Sequence, residues 1–89
     1  MVSFFKLKTK IMSWNYRVLA FEEKEEIVLK ICEVYYDKNN KPNGYGEPNI
    51  MTTTEGKEGL KWILSKCQEA LEKPIIYGEN KFPQEYTEN

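Results

Sequence analysis

Histidine is absent from this 89-residue chain. With it go the commonest general base, the commonest metal ligand and every Ser-His or Cys-His nucleophile pair. Carboxylates remain, but they cluster at Glu22, Glu23, Glu25 and Glu26, along a predicted helix and in the C-terminal stretch. All are places expected to face water rather than to form the paired acids of a hydrolase. Asp37, Asn39 and Glu47 surround a glycine-containing loop without the spacing of a calcium-binding loop, and turn chemistry accounts for them. Gly44 and Gly46 form a bare GxG with neither a third glycine nor a helix start, so there is no dinucleotide fingerprint. The expectation is a protein that is not an enzyme and that holds no metal and no cofactor.

Aromatic residues carry the stronger signal. Trp14, Tyr16, Tyr35, Tyr36 and Tyr45 all fall on predicted strands or the loop between them. Tyr35 and Tyr36 have opposite parity on one strand, so a helix covering a single sheet face would leave at least one of them open. Such a surface suits a protein partner, a second copy of the chain or a stacked base. Arg17, the only arginine, is predicted to point outward, where it would meet phosphate or pair with Glu33 on the neighbouring strand. Lys6, Lys8 and Lys10 are possible anion contacts, or they solvate a strand edge.

Residues 5–11 alternate Phe5, Leu7, Thr9 and Ile11 with those lysines at period two, the pattern of a half-buried strand. Met12 would also serve as a start, so residues 1–11 read as an N-terminal extension or an extra strand. Residues 14–21 form a strand by their alternation and their aromatic and β-branched content. The acidic run 22–26 is a solvated turn. Residues 27–37 form a long strand, with Ile27, Leu29 and Ile31 on one parity and Val34 and Tyr36 on the other, which a bulge near Cys32 or Glu33 would reconcile. The Asn-, Gly- and Pro-rich stretch 37–46 reverses the chain, and a short strand about Tyr45 follows, placed at an edge by Pro48.

Thr52 with Glu55 has the form of a capping box, and Leu60, Ile63, Leu64, Cys67 and Leu71 make one apolar stripe on a helix ending at Pro74. The fold expected is α+β, a three- or four-stranded antiparallel sheet packed on one C-terminal α-helix. Residues 12–77 form the single domain, and residues 78–89 a flexible tail.

The blocks Trp14-Asn15-Tyr16-Arg17-Val18, Glu33-Val34-Tyr35-Tyr36-Asp37 with Lys41-Pro42, and Ala70-Leu71-Glu72-Lys73-Pro74 resemble a family of small uncharacterised bacterial and phage proteins. The resemblance spans roughly residues 12–75 and implies a compact sheet-plus-helix domain. The family's second strand often carries a histidine where this chain has Cys32, so any role of that imidazole is lost here.

Charge narrows the partners. The net charge is −1, which argues against a duplex-DNA partner. Residues 1–21 nevertheless hold four basic residues and no acid, while residues 22–89 hold nine lysines and fourteen acids. Cys32 and Cys67 lack metal or disulfide-framework spacing and read as reduced and buried, in a cytoplasmic protein with no membrane segment. The function expected is non-catalytic protein binding, as an inhibitor or accessory factor in phage or bacterial defence, with a homo-oligomer as the expected assembly. The alternatives are a nucleotide-binding module that sequesters a nucleotide signal, and a weak nucleic-acid binder using the N-terminal lysines.

Overall fold

The structure, a computed structural model, describes residues 13–48 and 51–88. Lys6, Lys8 and Lys10, with the strand expected about them, lie outside the described residues. Strands β1 (Ser13–Glu23) and β2 (Glu26–Tyr36) form a long hairpin. Its turn is the pair Lys24 and Glu25, both at positive φ (49° and 68°), the left-handed conformation that matches the twist of two antiparallel strands. Only these two residues of the acidic run turn, and the rest extend the strands. Strand β3 (Pro42–Pro48) pairs with β2 as an edge strand, as Pro48 led us to expect.

Helix α1 (Gly56–Ala70) then returns the chain to β4 (Ile75–Tyr77), which lies parallel to β1, and β5 (Glu85–Tyr86) closes the order β3-β2-β1-β4-β5. The α+β class holds, but the sheet has five strands among the described residues and is mixed rather than purely antiparallel. The difference arises because α1 acts as a crossover that delivers β4 beside β1 in the same direction.

The β1–β2 register runs unbroken from Ser13↔Tyr36 to Glu23↔Glu26. The parity change along β2 therefore needs no bulge in this pair. Irregularities near Cys32 and between Tyr35 and Tyr36 fall on the other side of β2, against β3. Both parities are satisfied because both faces of the sheet are covered. Tyr16 and Val18, with Ile31 and Ile75 beside them, pack under Ile63, Cys67 and Ala70 of α1. Leu19, Phe21, Cys32, Val34, Tyr36 and Ile76 form a second core on the opposite face, joined by Tyr45 and Phe82. Full burial of a side chain such as Leu19 contributes about 1.5–3 kcal/mol.

The second core is closed by the segment expected to be a tail. Gly78 N–H donates to Ala20 O at 2.9 Å, and Glu79 N–H donates to the Tyr45 hydroxyl at 2.8 Å. Lys81 reaches Glu22 at 2.9 Å and lies 4.7 Å from the Tyr77 ring centre. A Cβ on residue 78 would run into the Phe21 ring, so glycine is what lets this backbone lie on it. The polar composition of residues 78–88 conceals Phe82, the one side chain that anchors them in the core.

The start and face of α1 differ from expectation. Glu55 occupies the N-cap without a side-chain hydrogen bond, and Thr53 Oγ1 instead accepts from Glu55 N–H at 3.1 Å. Regular helix ends at Ala70, and three i→i−3 bonds tighten residues 71–73 before Pro74. Gly59, Ile63, Cys67 and Ala70 face inward. Leu60, Leu64 and Leu71 are 37%, 58% and 61% exposed. Ile63, Cys67 and Ala70 pack on the sheet while Gly59 lies under Thr53 and Glu55, and this face leaves the leucines out of the contact.

Candidate functional site

Burial redistributes the aromatic set. Tyr16, Tyr35 and Tyr36 are core residues, and Tyr45 is half-buried against Phe21 and Phe82 with its hydroxyl committed to Glu79. Trp14 alone among them remains exposed, at 44%. The expectation that Tyr35 or Tyr36 lies on an open face is corrected, because Tyr35 is only 4% and Tyr36 only 8% exposed, with the Tyr36 hydroxyl held between Arg17 and Asn15. Burial raises the pKa of the Tyr35 and Tyr16 hydroxyls above its ordinary value, with Glu33 adding to both, so each stays protonated. Tyr35 uses its proton to bond Glu33 at 2.8 Å.

That bond also corrects the pairing expected for Arg17. Register places Arg17 opposite Cys32 and Glu33 opposite Tyr16, on different faces of the sheet. Arg17 Nη1 donates instead to the Tyr36 hydroxyl at 2.9 Å, which passes its own proton to Asn15 Oδ1 at 2.8 Å, and Nη2 donates to Pro74 O at 2.7 Å. Arg17 thereby ties β1 to β2 and to the entrance of β4. Both of its acceptors are neutral, and no carboxylate among the described residues forms an ion pair with the guanidinium. Its Nε is buried without a partner, alone among the described side-chain polar atoms.

Trp14 sits at the start of β1, in edge contact with Tyr16 on one side (centroids 5.3 Å) and with Trp62 of α1 on the other (6.4 Å). Trp62 is 50% exposed. Between these rings and Lys66, Glu69 and Lys73 lies a cavity of about 300 Å³. Lys66 stands 5.7 Å from the Trp62 ring centre and reaches Glu69 at 3.4 Å. A neighbouring recess of about 380 Å³ shares Trp14, Asn15 and Lys73 with the first and is walled by Arg17, Tyr36 and Asn40. Lys73 stands between the two and has no ion-pair partner among the described residues.

Trp62, Lys66 and Lys73 escaped the sequence reading, which followed the leucine stripe. The usable signal was Trp62 itself, a large apolar residue off that stripe.

A third recess, near Phe21 and Tyr45, gathers Glu23, Glu47 and Glu79 about Lys30. Its one cation is already bound to Glu23 at 2.8 Å, a hydrogen bond that raises the Lys30 pKa. Among the described residues no group of three or more Cys, Asp or Glu side chains is placed to hold a metal ion, and no helix is long and apolar enough to cross a membrane. Both cysteines are buried, with no disulfide between them. No family model, curated protein or solved structure matches the chain.

Proposed function

We propose that this protein is a non-catalytic binding protein that works through protein–protein contact, with the outer flank of α1 as its contact surface and a second copy as the occupant. The observation that carries this reading is the exposure of Leu60, Leu64 and Leu71. At 100° per residue the three fall within about 40° of helical arc, so they form a row and not scattered apolar points. Rows of this kind serve as the anchors of helix–helix contacts.

Charge favours self-association. Lys57 and Lys61 border the row near its start, and Gln68 and Glu72 border it near its end. Two copies packed antiparallel would set Leu60 against Leu71 of the partner and bring Lys57 close to the opposite Glu72, which is an isologous, self-complementary contact.

Sedimentation velocity over a concentration series is the test. The wild type is expected to pass from monomer to dimer, while Leu64→Lys stays monomeric with an unchanged far-ultraviolet circular dichroism spectrum, and Leu64→Met still dimerises. A wild type that remains monomeric throughout the series would remove the proposal. The nucleic-acid reading keeps only Lys6, Lys8 and Lys10 as support. The nucleotide reading loses Tyr16, Tyr35 and Tyr36 as stacking platforms but keeps Trp14 and Arg17.

A further inference from the structure

We infer that the corner where the start of β1 meets the flank of α1 is a mononucleotide-binding site, with Trp14 and Trp62 holding the base and Lys73, beside Arg17, holding the phosphate. It is separate from the proposed self-contact, since Trp62 projects about 180° around α1 from the centre of the leucine row.

Three features support it together. First, the two tryptophans are half-exposed and border one cavity, an arrangement that leaves indole surface available to a flat ring. Indole faces stack any base, because every base offers a π-face. Second, the cavity of about 300 Å³ opens beside the recess of about 380 Å³, so a ligand with an aromatic part and an anionic part has a place for each. Third, the charge is uneven in the right sense. Arg17, Lys66 and Lys73 face one carboxylate, Glu69, in a chain whose net charge is −1. Of the three cations only Lys66 forms an ion pair among the described residues, leaving the charges of Lys73 and of Arg17, which bonds neutral oxygens, to attract an anion. Glu69, held only loosely by Lys66, is an acceptor for an N–H on the base edge.

The chain provides its own reporter, since its two tryptophans both line this cavity. The experiment is titration of nitrogen-15-labelled protein with adenosine, guanosine, cytidine and uridine 5′-monophosphates, following the two indole N–H signals. Both signals are expected to move saturably with at least one monophosphate. Trp62→Leu, at an exposed position, should weaken that binding about tenfold, the scale of a lost base stack. Lys73→Gln should weaken it by a similar factor and flatten its dependence on salt. Indole signals unmoved by all four nucleotides would overturn the inference. So would signals that inorganic phosphate moves equally at the same concentration, since the base would then contribute nothing.

Discussion

Cys32 is the described residue whose environment most directly couples the fold to pH. It is fully buried in the second core, opposite Arg17, and burial pushes its thiol from 9.0 up to about 11. A thiol that resists ionisation in the native state but ionises at 9.0 when unfolded binds more protons folded than unfolded. Stability must therefore fall as pH rises between those values, by up to ~1.4 kcal/mol per pH unit. Tyr35, raised by burial and by Glu33, acts in the same direction from pH 10.0 upward. Denaturant titrations at successive alkaline pH values should show the decline beginning near pH 9. In Cys32→Ala the onset should move to the tyrosine range. The position of Cys32 could be read in the sequence as a buried, reduced thiol, whereas its neighbour on β1 could not, because alternation points Arg17 outward, toward phosphate or Glu33, and does not show that it stands opposite Cys32.

At the scale of elements, the segment 78–88 holds a 3-10 turn and a short strand that the sequence does not announce. Glycine, proline and charged residues dominate it, and such composition ordinarily marks a solvated end. Its role depends on two residues whose partners are remote in sequence, Gly78 over Phe21 and Phe82 in the second core. Gly78→Ala would force the Phe21 ring aside and is expected to destabilise by about 1–3 kcal/mol, although its φ of −91° suits any residue. Thermal unfolding would measure this, and a melting temperature equal to the wild type would show that the segment does not seal the core. The hairpin, by contrast, was legible because alternation and an acidic turn are local signals. The face of α1 was misread for a physical reason. Hydrophobicity ranks leucine above cysteine and alanine, but Cys67 and Ala70 are the side chains that pack on the sheet with Ile63.

For the molecule as a whole, two surfaces on opposite flanks of one helix divide the proposed work between a second copy and a small anion. Neither uses the strand tyrosines that the sequence singled out as stacking platforms, since Tyr16, Tyr35 and Tyr36 are buried and Tyr45 is half-buried. Trp14 and Arg17 survive from that set because they border the two recesses at the start of β1.

The parallel pairing of β4 with β1 also bears on how the chain reaches this state. Leu19 meets Ile76 only after the hairpin, β3 and α1 have been traversed. A contact so distant in sequence must await loop closure, whereas the β1–β2 hairpin nucleates from its own two-residue turn. The central strand therefore has one partner early and its other partner late, and the late partner is only three residues long. Ile76→Ala is expected to accelerate unfolding while leaving the refolding rate near that of the wild type, as stopped-flow chevrons would show. Resistance to opening would then reside in a seam of two residue pairs, and the speed of assembly in the longest seam of the sheet.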